Sequence, residues 1–208
     1  FSSANPIVQV TDTVFKSGSQ SLMMWGELHG YWGSGLARPL DTQFPISIAM
    51  SVRNGTEVIT DGPNHFRSGA SLMYGSSWTD GGFALFYFHE NGDLQLLHAN
   101  GTYEFPGFNL LQWHDFKIDV GKPGDGNYHF DYWVNGTYLG HFLVQDTFSM
   151  TPTHLMIGGA AGTSWFDDVC VSQSAQSPWC DDFEGYSGSD WSTYWHGSGN
   201  SSSVLLDN

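Results

Sequence analysis

Apolar and polar residues alternate along this chain in short runs with the two-residue period of a β-strand, and Gly, Asn-Gly and Pro signals separate the runs. Helical spacing is essentially absent. The pattern predicts strands at Ile7–Thr11, Gln20–Gly26, Ile46–Arg53, Ser68–Tyr74, Phe83–His89, Leu94–His98, Trp113–Val120, Asn127–Val134, Thr137–Val144, His154–Gly158, Ser164–Val171, Asp181–Glu184 and Ser203–Leu206. So many short strands predict an all-β fold of two stacked antiparallel sheets.

Two of these runs can be read residue by residue. In Trp113–Val120, Phe116 and Ile118 face the core while Asp115, Lys117 and Asp119 face solvent. Between Tyr128–Val134 and Thr137–Leu143 lies Asn135-Gly136, the preferred two-residue hairpin turn. Such a loop pairs Val134 with Thr137. Tyr128, Phe130, Tyr132, Val134, Leu139 and Leu143 are then expected on the core face, and His129, Asp131, Trp133, Tyr138 and Phe142 on the other. A bulged turn would reverse one strand.

Composition narrows the function. Aromatics are 16% of the 208 residues and charged residues only 13%, with 26 glycines, which suits strands joined by tight turns and argues against disorder. No apolar run approaches the roughly 18 residues of a membrane span, so no membrane insertion is expected. The net charge of −15, with only six Lys and Arg, makes nucleic acid and anionic lipid poor partners. Divalent cations, neutral glycans or plain solubility suit it better.

Asn54-Gly55-Thr56, Asn100-Gly101-Thr102, Asn135-Gly136-Thr137 and Asn200-Ser201-Ser202 are acceptor sequences for N-linked glycans, and the first three also read as hairpin turns. Cys170 and Cys180 each abut an expected strand and are expected to form a disulfide. Both features place the protein outside the cell, secreted or at an extracellular surface. The start at Phe1 reads as a mature form or an excised fragment.

The series Lys16-Ser17-Gly18-Ser19-Gln20-Ser21-Leu22, Trp113-His114-Asp115-Phe116-Lys117-Ile118-Asp119, Tyr132-Trp133-Val134-Asn135-Gly136, Ile157-Gly158-Gly159 and Phe166-Asp167-Asp168-Val169 resembles the concanavalin A-like lectin/glucanase superfamily, and within it the laminin-G-like extracellular modules. The resemblance implies a jelly-roll or concanavalin-like β-sandwich over residues 1–172. Modules of this kind open on a segment like Asp181-Asp182-Phe183-Glu184-Gly185, which here follows the closing strand. Residues 173–208 are therefore expected to be a linker and strand-forming C-terminal extended arm, either the start of a next repeat or a segment exchanged between copies. Matches between Ser3 and Ser198, Asn5 and Asn200, and Asp12 and Asp207 share one spacing, as tandem repetition would produce. The resemblance also raises Ca2+, held by Asp167, Asp168, Asp182 and Glu184 if the closing and opening strands pair.

Catalytic patterns are missing. Glu27, Glu57, Glu90, Glu104 and Glu184 are scattered, so the paired-carboxylate strand of a glucanase is absent. No transition-metal spacing, nucleophile elbow or phosphate loop occurs. The aromatic surplus points instead to glycan stacking or protein contact, with Trp133, Tyr138, Trp191 and Trp195 as the glycan or interface residues. The expected function is a non-catalytic extracellular structural or adhesive module that joins copies of itself head to tail, through strand exchange or tandem repetition, into a filament or surface array. The alternative is a carbohydrate-binding, lectin-like module, and a third reading is a polysaccharide-degrading enzyme lacking the acid pair.

Overall fold

In the computed structural model, residues 7–27, 34–41, 43–56, 66–76, 80–98, 101–146, 150–159, 161–173, 176–186 and 194–197 are described. The strands are β1 (Ile7–Thr11), β2 (Ser21–Glu27), β3 (Ser34–Pro39), β4 (Ile46–Asn54), β5 (Phe66–Met73), β6 (Gly82–His89), β7 (Leu94–His98), β8 (Gly101–Phe105), β9 (His114–Gly121), β10 (Asn127–Val134), β11 (Thr137–Gln145), β12 (His154–Gly159), β13 (Ala161–Gln173), β14 (Gln176–Asp181) and β15 (His196–Gly197). Sheet A runs β1-β2-β13-β4-β9-β10-β11, with β14 also on β13, and sheet B runs β15-β3-β12-β5-β6-β7-β8. Every pairing is antiparallel. The fold is an all-β sandwich of two antiparallel sheets, as the alternation predicts, and of the jelly-roll, concanavalin-like kind that the resemblance implies.

The two sheets bury different amounts of their surface. In β9 and β10 buried residues alternate strictly with more exposed ones, whereas β5 and β12 are buried at almost every position. Sheet A thus keeps an open outer face, and its inner face packs Ile48, Phe116, Ile118, Phe130 and Phe166 into the core. Stacking of Phe86 on Phe116, with ring centroids 3.9 Å apart, joins sheet B to sheet A across that core.

β13 is the seam of sheet A. Its first half pairs with β2 and its second half with β14, while β4 runs along its other edge. The changeover sits at a bulge where Asp168 takes a φ of 51°. Cys170 and Cys180 face each other across β13 and β14 in a disulfide, as expected, with Cα atoms 4.0 Å apart. The chain then turns at Phe183 (φ 57°) into the core, and β15 adds to β3 of sheet B. Phe183 and Trp195, both fully buried, bring the arm into the core shared by the two sheets.

Several expectations shift. β3 and β8 were not anticipated, because Ser34–Pro39 and Gly101–Phe105 alternate weakly. The arm's strand lies at Gln176–Asp181, upstream of Asp181–Glu184, because Phe183 points inward and ends the ladder. The expected strand Ser203–Leu206 lies outside the described residues.

Candidate functional site

The central strands of the open face carry an ordered set of polar and aromatic side chains. β9 presents Asp115, Lys117 and Asp119, and β10 presents His129, Asp131 and Trp133. β11 contributes Tyr138, opposite Trp133, and His141, which reaches this face only because of a bulge. Val134 pairs with Thr137 and Trp133 with Tyr138, but Tyr132 then pairs with Gly140, and Asp131 with His141. Gly140 absorbs the slip at a φ of 151°. The expected faces of β11 are reversed beyond it: Phe142 is buried and Leu143 is 41% exposed. Asp131 and His141 therefore become direct neighbours.

Asp131 organises the set. Tyr138 Oη donates to Asp131 Oδ1 at 2.7 Å, and His141 Nδ1 lies 3.0 Å from the same oxygen. Partial burial pushes the Asp131 carboxyl up, but the hydrogen bonds from Tyr138 and His141 outweigh it and hold the group below its ordinary range. The same contact raises the Tyr138 phenol, so it stays protonated. The rings of His129 and His141 meet edge to face at 5.1 Å, and His129 Nε2 lies 2.8 Å from Asp125 Oδ2. Trp133 and Tyr138 lie 5.1 Å apart, with Lys117 Nζ 4.1 Å above the indole. Beside them is an open groove of about 430 Å³ lined by Phe44, Asp119, Lys122, His129, Asp131 and His141 among others.

The lysines of this face are committed. Lys16 Nζ is 2.6 Å from Asp115, Lys117 Nζ 2.7 Å from Asp119, and Lys122 Nζ 2.7 Å from Asp146. Ser47 and Ser51 of β4 donate to Asp119 and Asp115.

The residues singled out in the sequence separate. Trp133 and Tyr138 stand together on the open face. Trp195 does not: it is fully buried and its Nε1 donates to Asp181 Oδ2 at 2.8 Å, so it is a core residue and not a ligand contact. Trp191 lies outside the described residues. Asp167 accepts from the amides of Lys16, Ser17 and Asp168, and Asp168 accepts from the Ser17 hydroxyl. Glu184 accepts from the Ser19 and Gln20 amides, and Asp182 from the Glu184 amide. These carboxylates cap loops, and among the described residues no three His, Cys, Asp or Glu side chains come together as a metal site. Asn54 is fully buried at the end of β4, so its amide is closed to a glycan in the folded chain. Asn135 is exposed at the hairpin turn, its amide spanning the Asp115 N–H and His114. Asn100 and Asn200 lie outside the described residues.

The outward alternation of His129, Asp131 and Trp133 was readable from sequence. The Asp131–His141 contact was not, because it depends on the bulge. Gly140 was the one local signal.

No protein-family model matches the chain, and no curated protein matches it. Solved structures share its fold. An endo-β-1,4-glucuronan lyase from the fungus Trichoderma reesei aligns with a TM-score of 0.57 at 12% identity, covering 81% of this chain and 87% of that one. The conserved carbohydrate esterase of the Shiga toxin-encoding bacteriophage phi24B aligns at 0.55 and 13% identity, covering 82% and 88%. The cellulose induced protein Cip1 aligns at 0.50 and 18% identity, covering 81% and 86%. The expected non-catalytic module built by strand exchange is corrected on two counts. The arm completes its own sandwich, pairing β14 with β13 and β15 with β3. And the fold is shared with a lyase and a carbohydrate esterase, so its possession gives no ground for excluding catalysis.

Proposed function

We propose that this chain is a secreted carbohydrate-active protein that holds a glycan across the open face of sheet A. One observation carries the reading: Trp133 and Tyr138 form an aromatic step beside a groove lined by Asp119, Asp131, His129 and His141. Flat rings supply the apolar surface on which a pyranose stacks, and neighbouring carboxylates and imidazoles accept and donate to its hydroxyls. The neighbouring glucuronan lyase and carbohydrate esterase support the reading, and the disulfide supports secretion. Affinity electrophoresis in polysaccharide gels tests it. Trp133→Ala and Tyr138→Ala should each weaken retardation by about tenfold, the worth of one aromatic contact. Unchanged retardation would remove the ligand from this face.

A second reading rests on the Asp131–His141 contact. A carboxylate only accepts, so Nδ1 of His141 carries the hydrogen and Nε2 is the nitrogen that has the lone pair whenever the ring is neutral. An imidazole oriented in this way is a general base at the edge of the groove. Its test is the release of new reducing ends from bound polysaccharide. His141→Ala should abolish release while the Trp133–Tyr138 step keeps most of the binding, and a protein that binds without cleaving would leave the binding role alone.

A further inference from the structure

Resting on that reading of the face, we infer that its ligand is an uncharged, hydroxyl-rich polysaccharide and not a polyuronate. A polyuronate carries a carboxylate on every sugar, so a face that selects it must offer cations with charge to spare. This face offers none among its described lysines. Lys16, Lys117 and Lys122 each lie within 2.7 Å of an aspartate oxygen, and Lys122 Nζ also donates to Tyr128 Oη at 3.0 Å. Arg53 of β4 lies 5.7 Å from the Trp165 ring centroid and does not line the groove. The groove is lined by two carboxylates, Asp119 and Asp131, and by one lysine already paired with Asp146. With its histidines neutral, its lining carries 1 − 2 = −1, within a chain whose net charge is −15.

A sugar carboxylate entering the groove would meet Asp119 and Asp131 at close range, and like charges so placed repel. A neutral sugar meets the reverse. Its hydroxyls donate to those carboxylates, and its ring face packs against Trp133 and Tyr138. The Lys117–Asp119 pair sets the boundary between the two classes, because Lys117 rests on the Trp133 ring where the sugar would stack.

The experiment measures dissociation constants at pH 8, where imidazole is ordinarily neutral, for the full chain against a neutral β-glucan, xylan and mannan and against polygalacturonate, alginate and glucuronan. At least one neutral polysaccharide should bind at least tenfold more tightly than any polyuronate. Its affinity should change less than about twofold between about 0.05 and about 0.5 M salt, since no net charge is neutralised. Asp119→Asn, which releases Lys117 from its partner, should strengthen polyuronate binding by about threefold to tenfold. A polyuronate that binds most tightly and is released by salt would overturn the inference while leaving the face as the glycan site. Equal binding of both classes, or an Asp119→Asn variant with unchanged preference, would also overturn it. Failure of every polysaccharide to bind would bring down the reading of the face itself.

Discussion

Two aspartates of this molecule hold similar partners and serve opposite ends. Asp131, on the open face of sheet A, accepts from the Tyr138 phenol and the His141 imidazole. Asp181, at the end of β14, accepts from the Tyr186 phenol, the Trp195 indole and the Arg38 guanidinium, and from the Phe183 amide through its second oxygen. The difference is water. The Asp131 side chain is 35% exposed and that of Asp181 only 4%. A network open to solvent can exchange its partners for a ligand's hydroxyls at small cost, whereas a buried one cannot lose a member without stranding the rest. Around Asp181, Arg38 also lies 3.8 Å above the Trp179 ring, so the arm, β3 and the disulfide edge are fastened at one point. The same chemistry is a fastening in one place and, in the proposed reading, a recognition surface in the other.

The sharpest way to break this comparison is Asp181→Ala, which takes the shared acceptor from the buried Trp195 and the half-buried Arg38 and Tyr186. It should cost about 3–5 kcal/mol by urea unfolding, against less than about 1 kcal/mol for Asp131→Ala. Equal losses would mean that exposure does not separate the two. Next, replacing Cys170 and Cys180 by Ser should cost about 2–3 kcal/mol from the short loop they close, with glycan binding unchanged because the open face is not involved.

Gly140→Val should cost about 1–3 kcal/mol, since a φ of 151° is open to glycine and a Cβ there would come 3.0 Å from the Phe142 ring. The variant's amide chemical shifts should report a disturbed β10–β11 register and the loss of the Asp131–His141 contact. The smallest effect is a titration. The Asp131 carboxyl should titrate below 3.8 by carbon NMR, and Tyr138→Phe should move it upward. Because its folded value is depressed, the contribution of this carboxylate is present above the ordinary range and fades as pH falls through the lowered value.

The chain's alternation determined a great deal by itself. The class, most of the strands, the inward Phe116, Ile118, Phe130 and Tyr132, and the outward Asp115, Lys117, His129 and Asp131 follow from a two-residue period, because a pleated strand sends successive side chains to opposite faces. The pairing of Cys170 with Cys180 was also within reach, since both flank a short loop. Tertiary structure decided what period and spacing do not encode. Trp195 and Trp133 are alike in sequence, yet one fills the core and the other lies on the open face, because the arm's return depends on contacts with β3 and β13 far away in the chain. Asn54 has the same acceptor pattern as Asn135 and is buried by the packing of its strand end. His141 meets Asp131 only because one extra residue is accommodated at Gly140. Alternation is a local property, and partnership across a sheet depends on register, which is set only when all the strands are in place.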